Sequence, residues 1–404
     1  MAITQLPPLS LYIHVPWCVQ KCPYCDFNSH QVKQNIPESE YIDRLLQDLE
    51  SEIPLVWGRQ LISIFIGGGT PSLFQPESYE RLFSGIRALL PFNADIEITM
   101  EANPNSVESE KFKGFYDAGI NRISIGVQSF QNDFLKSLGR VHNSDEAKKA
   151  FAIARNAGFN NINLDLMYAL PNQSIEQALE DLQTAIDLQP EHLSWYQLTL
   201  EPNTLFYQQP PLLPDDDHIA EMASQGIQLL SKSGYQQYEI SAYSRNGLKP
   251  SQHNLNYWNF GDYLGIGAGA HQKITRADEQ TITRTSKRRH PKDYLNQQMD
   301  LIDNNKAIAM NELPLEFMMN ALRLKEGFHP DLFFAHTGLL LGQIDPALKH
   351  AESLGLLEIS KENIRASEQG YQFLNELLEC FMPENLPKNL QVGDIKIKNL
   401  MENN

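Results

Sequence analysis

The chain has 404 residues, 42% of them hydrophobic and 21% charged, proportions that fit two to three folded domains and exclude a disordered chain. Lys and Arg number 33 against 50 Asp and Glu, a net charge of −17 with a pI near 5.1. So acidic a balance excludes general electrostatic binding to nucleic acid or to an anionic membrane, because both require positive charge.

The opening MAITQLPPLSLYIHVPWC has neither the basic start nor the apolar run of a secretory signal, so the expected compartment is the cytoplasm. Short apolar runs then alternate with amphipathic segments as far as residue 235. The runs 9–15, 61–66, 96–101, 122–127, 162–168 and 193–200 read as strands buried on both faces. Helices are predicted over 38–53, 76–90, 108–118, 145–157, 175–188 and 216–233. Ser39, Ser106, Ser144 and Ser174 are cap-like at their starts, and Gly119, Gly158 and Gly234 lie near their ends. Six β-α units in a row predict an α/β fold with a parallel sheet. Polar and Gly-rich signals gather at the strands' C-terminal ends, which favours a TIM-like partial (β/α)6 barrel over an open doubly wound sheet.

Residues 1–235 thus read as the barrel core, and composition then shifts. Residues 236–310 read as a barrel extension that carries His253-Asn254-Leu-Asn-Tyr257-Trp258, the run Gly265–Ala270 and an exposed polar loop over 273–292. Within that loop Lys287-Arg288-Arg289 is expected to be solvated. Over 311–385 helices are predicted at 316–324, 345–353 and 368–379, around a short hairpin at 356–359 and 364–366, a winged-helix-like pattern. Residues 386–404 read as a loose tail. No run approaches the roughly 18 apolar residues of a membrane span.

The strongest chemical signal is Cys18-Val-Gln-Lys-Cys22-Pro-Tyr-Cys25, directly after the first strand. Three thiolates on one loop can hold a zinc ion, with His14 or His30 as fourth ligand, or a [4Fe–4S] cluster with one iron left open to a chelating ligand. Cys380 is far away in sequence. A second signal follows the second strand, Gly67-Gly68-Gly69-Thr70-Pro71, where glycines let backbone approach a ligand closely. Later strand ends carry Glu101, Gln128 and Asp165, with Arg140 just beyond. As a set they suit a polar ligand, with carboxylates for hydroxyl and ammonium groups and Arg140 for a carboxylate.

CxxxCxxC on the loop after strand one of a β/α barrel is the hallmark of radical S-adenosylmethionine (SAM) proteins. The runs LSLYIHVPWCVQKCPYCDFN, FIGGGTPSLF, EITMEANP, RISIGVQSF, LGRVH and NLDLMYALP closely resemble the radical SAM family that holds oxygen-independent coproporphyrinogen III dehydrogenase and a haem-chaperone branch. The resemblance spans nearly the whole chain. It implies a [4Fe–4S] cluster on Cys18, Cys22 and Cys25, and SAM contacts from Tyr12, Tyr24, Gly68, Gly69, Thr70, Glu101, Gln128, Arg140 and Asp165.

Two departures from the dehydrogenase pattern are visible: Asp26-Phe27 follows Cys25 where that pattern continues to a further cysteine, and the first strand begins near Leu9 with no long segment before it. HNLNYW matches the HNxxYW motif of the chaperone branch, so the resemblance implies haem binding, release to an acceptor haem protein (a membrane protein, by the same resemblance), and no decarboxylation. His253 could ligate haem iron, with Asn254, Tyr257 and Trp258 beside it. His14, His142, His192 and His271 are weaker candidates for the iron. The alternative is the dehydrogenase itself, oxidative decarboxylation of coproporphyrinogen III.

Overall fold

The computed structural model describes residue 3, residues 5–33, 35–387 and 390. Most of the expected tail lies outside them. Twelve strands form one sheet: β1 (Leu9–Val15), β2 (Leu61–Gly68), β3 (Phe92–Ala102), β4 (Arg122–Gln128), β5 (Ile162–Tyr168), β6 (His192–Gln197), β7 (Tyr235–Glu239), β8 (Ala242–Arg245), β9 (Asp262–Ile266), β10 (His271–Arg276), β11 (Thr281–Lys287) and β12 (Ile302–Ala307). Their order is β12-β11-β10-β9-β1-β2-β3-β4-β5-β6-β8-β7. From β9 to β6 all seven neighbours run parallel. The six repeated β-α units form the partial barrel, and antiparallel strands extend it at both edges.

Apolar side chains of the parallel strands pack against a helical layer. Leu11, Ile13, Ile64, Ile66, Ile123, Ile125, Ile162 and Leu164 are fully buried, and Tyr41, Leu45, Leu82, Phe83, Ala150 and Leu182 cover them from the helices Glu38–Glu52, Pro76–Leu89, Ser144–Ala157 and Ile175–Asp187. Helix 175–187 starts on Ser174 with a capping box, as its sequence predicts. Helix 144–157 is capped by Asn143 rather than Ser144. The helix expected over 108–118 is broken into Ser106–Ser109 and Phe112–Asp117. Its core anchors, Phe112 and Phe115, are buried all the same.

The expectation of an exposed loop over 273–292 is overturned. This stretch holds most of β10, all of β11 and the start of a short helix, Pro291–Leu295. Lys287 is only 1% exposed: its ammonium donates to Asp48 Oδ1 at 2.6 Å and Glu52 Oε1 at 2.5 Å, while Asp48 also accepts from the Tyr294 hydroxyl at 2.7 Å. Lys273 likewise meets buried Asp262 at 3.1 Å. A buried ion pair broken on one side leaves an uncompensated charge. Lys287→Met should therefore destabilise the fold by about 3–5 kcal/mol, read as a lowered midpoint in denaturant melts.

The C-terminal region forms its own core. Helices Leu313–Ala321, Pro330–Thr337 and Asp345–Ser353 surround the antiparallel hairpin Leu357–Ile359 and Ile364–Ala366. Phe317 centres an aromatic cluster with Phe260, Phe328 and Phe333, at 5.0–5.6 Å between ring centroids. Phe260 belongs to the barrel side, so this core grips the sheet. Among the described residues no helix is long and apolar enough to cross a membrane.

Candidate functional site

The cysteine loop, the turn after β2 and the C-terminal ends of β3 to β6 enclose one cavity of about 490 Å3. Cys18, Cys22 and Cys25 all line it as free thiols. The loop is closed by backbone pairing of Trp17–Cys18 with His30–Gln31 and by a turn in which Cys25 N–H donates to Cys22 O at 3.2 Å. Burial pushes the Cys18 and Cys25 thiols up, with a smaller push from Cys25 and Cys22 on Cys18 and from Cys22 on Cys25. Cys380 sits in the C-terminal core, out of reach of this loop.

Of the two candidate fourth ligands for zinc, His14 is engaged in the fold, whereas His30 keeps a buried Nε2 without a hydrogen-bond partner. His14 spends both ring nitrogens, bonding Tyr12 Oη at 2.9 Å and Asn28 O at 2.8 Å. The His30 ring packs on His290 at 5.0 Å. Among the described residues no three His, Cys, Asp or Glu side chains are placed to hold one ion.

The glycine turn is tied to the cysteine strand. Gly69 N–H donates to Val15 O, and Thr70 N–H to Trp17 O, both at 2.7 Å. Gly68 has φ +106°, and a Cβ there would stand 2.3 Å from the His14 ring; one at Gly69 would stand 2.5 Å from Trp17 O. The glycines thus answer first to the chain's own close packing. Gly68, Gly69 and Thr70 still line the cavity.

The strand-end set converges as expected. Tyr24, Glu101, Gln128, Arg140 and Asp165 all border the cavity. Gln128 is held at φ +69°, a conformation that costs about 1–2 kcal/mol outside glycine, and its Oε1 accepts from the Tyr196 hydroxyl at 2.8 Å. Asp165 accepts from Ser124 at 2.7 Å and Asn163 at 2.8 Å, yet burial raises its pKa. Glu101 has one protein donor, Gly68 N–H at 3.1 Å. Burial, and Asp165 opposite, push Glu101 up to about 7.

Arg140 Nη2 donates to Asn103 Oδ1 at 2.7 Å and Gly126 O at 2.8 Å, and Nη1 to Cys22 Sγ at 3.7 Å. Its Nε is buried with no partner in the protein. Two deep carboxylates and one guanidinium with a spare N–H suit a ligand with cationic groups and one carboxylate. Tyr12 alone of the SAM contacts implied by the resemblance does not border the cavity; its ring stacks on Phe65 at 6.3 Å and its hydroxyl hydrogen-bonds His14.

Helix Gln252–Trp258 carries HNLNYW across the inner face of the barrel. Glu97 accepts the backbone N–H groups of Gln252 and His253 at 3.1 and 3.2 Å, fixing the helix start. His253 is buried, bonded through Nδ1 to Ser63 Oγ at 3.1 Å and stacked on Phe65 at 5.0 Å. Burial holds its pKa down at about 3, so the ring is neutral. Asn254 and Trp258 border the cavity; His253 and Tyr257 do not. Tyr257 packs on Tyr263 at 4.9 Å, and Arg323 lies 4.3 Å over the Trp258 ring. The motif forms a floor inside the barrel rather than an open flat surface at its mouth.

Asn103, Tyr196 and Glu239 also border the cavity and were not singled out from sequence. Asn103 could have been, standing two residues beyond Glu101 at a strand end.

Comparison with known proteins adds a second line. Residues 12–185 match the radical SAM superfamily, and residues 308–373 the HemN C-terminal domain. The chain is 52% identical over 382 residues to the haem chaperone HemW of Escherichia coli, covering 95% of this chain and all of that one. It is 35% identical to HemW of Bacillus subtilis, covering 93% of this chain and 99% of that protein. The mouse radical S-adenosyl methionine domain-containing protein 1, mitochondrial, is 34% identical, with 93% and 87% covered. Among solved structures, coproporphyrinogen III oxidase (HemN) of E. coli superposes with a TM-score of 0.78 at 24% identity, over 93% of this chain and 90% of that one. At that identity the likeness concerns the fold.

Proposed function

The chain belongs to the haem chaperone HemW family within the radical SAM superfamily, and on that footing we propose that it binds haem and hands it to an acceptor haem protein. It does so with a [4Fe–4S] cluster held by Cys18, Cys22 and Cys25, and with exchangeable SAM in the cavity above the HNLNYW floor. The observation that carries the reading is the make-up of that cavity: three thiols on one loop line it together with Glu101, Asp165 and Arg140, whose buried Nε has no partner in the protein. The thiols suit an iron–sulfur cluster, the carboxylates a ligand's ammonium and hydroxyl groups, and Arg140 its carboxylate. When bound, the cluster supplies single-electron chemistry next to SAM. The protein's part is to hold SAM in a buried pocket and keep water from its cationic centre.

Relatedness favours the chaperone over a decarboxylating dehydrogenase: the chain is 52% identical to a haem chaperone over nearly its full length, and 24% identical to coproporphyrinogen III oxidase. In this reading a tetrapyrrole sits at the open side of the cavity, beside SAM. Asn254 and Trp258 border the cavity and are the motif's direct haem contacts, whereas the neutral His253 imidazole, seated against Ser63 and Phe65 outside the cavity lining, reaches haem iron only by leaving that seat. The acceptor is a membrane-bound haem protein met protein to protein, since a surface of net charge −17 is repelled by anionic lipid.

Anaerobic titration with haem should give a Soret shift saturating at one haem per chain, and His253→Ala should weaken it or change its spectrum. Coproporphyrinogen III with SAM and a reductant should show no turnover. Robust decarboxylation would replace the chaperone reading, and an unaltered Soret shift in His253→Ala would move the iron ligand elsewhere.

A further inference from the structure

We propose that Asn103 is a positioning residue that aims two hydrogen-bond donors at two of the three cavity thiols and thereby raises the reduction potential of the cluster they hold. The inference rests on the assignment of that cluster to Cys18, Cys22 and Cys25. The side chain of Asn103 joins two arms. On one side its Nδ2 donates to Thr70 Oγ1 at 3.1 Å, and Thr70 Oγ1 donates to Cys18 Sγ at 3.4 Å. On the other its Oδ1 accepts from Arg140 Nη2 at 2.7 Å, and Arg140 Nη1 donates to Cys22 Sγ at 3.7 Å.

The result is an unbroken path from one cysteine sulfur to the other through Thr70, Asn103 and Arg140. Each link constrains the next. The Thr70 hydroxyl has one proton; receiving the Asn103 amide on its lone pair leaves that proton free for sulfur. Arg140 is fixed from two sides, by Asn103 Oδ1 and Gly126 O at 2.8 Å, so its Nη1 keeps its aim at Cys22. Asn103 is itself anchored, its backbone N–H donating to Glu108 Oε2 at 3.2 Å.

Reduction adds one negative charge, spread over the cluster and its thiolate sulfurs. Donors to those sulfurs, and a guanidinium beside one of them, stabilise the reduced form more than the oxidised one. Removing them should lower the potential and make the cluster harder to reduce. An amide that merely filled space would leave the potential alone.

The test is an anaerobic redox titration followed by EPR, with iron and sulfide counted on every sample. Thr70→Val removes the donor to Cys18 at nearly constant volume, and Asn103→Ala releases both arms. Both midpoints should shift to more negative potential at unchanged cluster content, with Asn103→Ala shifting further. Midpoints equal to that of the unmodified protein overturn the proposal. If Asn103→Ala loses its cluster, Thr70→Val alone decides. A cluster that persists at full content in Cys22→Ser refutes the underlying assignment instead, and iron analysis tells the two failures apart.

Discussion

Replacing Cys18, Cys22 or Cys25 by Ser should abolish the cluster in anaerobically reconstituted protein, whereas Cys380→Ser should leave iron content and EPR intensity unchanged. The contrast is geometric. The first three thiols edge one cavity on a single short loop, and in the proposed assignment each holds the same group. Cys380 is 6% exposed in the C-terminal core, with its thiol at 3.9 Å from Glu376 O, and behaves as a small apolar residue. Serine is nearly isosteric with cysteine but its oxygen is a poor ligand for iron at neutral pH, so the loss is chemical rather than a collapse of the loop. A Cys18→Ser protein with a full-intensity cluster, or stoichiometric zinc in the unmodified protein, would defeat the assignment. Gly68 is a poor probe of the same site. A side chain at φ +106° that strikes His14 would disturb the cysteine loop along with any ligand.

What could be read from sequence alone divides along physical lines. β1 and β5 were read to the residue, because Leu9, Leu11, Ile13 and Val15, and Ile162, Leu164 and Leu166, recur at every second position and mark the face packed into the core. The three cysteines were legible from their spacing on one loop, and Glu101 and Gln128 because they lie at the C-terminal ends of neighbouring parallel strands, whereas Asp165 sits in the middle of β5. The β10–β11 hairpin was not legible. Its Lys273, Thr275, Thr285 and Lys287 spell a solvated loop, and partners outside the hairpin, Asp262, Asn305, Asp48 and Glu52, make their burial tolerable. HNLNYW was legible as a motif but not as a floor. Its seat depends on Ser10, Ser63 and Glu97, polar residues on strands whose inner faces look like interruptions in an apolar run.

SAM affinity should fall about tenfold between pH 8 and pH 6, and Glu101→Gln should both weaken binding and flatten that dependence. Glu101 has a single protein donor and is pushed up to about 7 by burial and by Asp165. A ligand that brings an ammonium and a sulfonium into this cavity is favoured by the ionised carboxylate. Above pH 7 Glu101 is already ionised and binding is at its strongest. Below pH 7 it carries a proton that must leave before the cation is accommodated, so each further unit of pH costs about 1.4 kcal/mol, or tenfold. Asp165 is raised too, but it keeps its Ser124 and Asn163 donors, which oppose the shift. Glu101→Gln keeps the shape and the acceptor for Gly68 N–H while removing the charge. The measurement is the SAM concentration that half-perturbs the EPR spectrum of the reduced cluster, taken across pH 6 to 8 at constant iron content. A flat profile in the unmodified protein, or the same slope in Glu101→Gln, would mean that Glu101 does not face the cationic end of SAM.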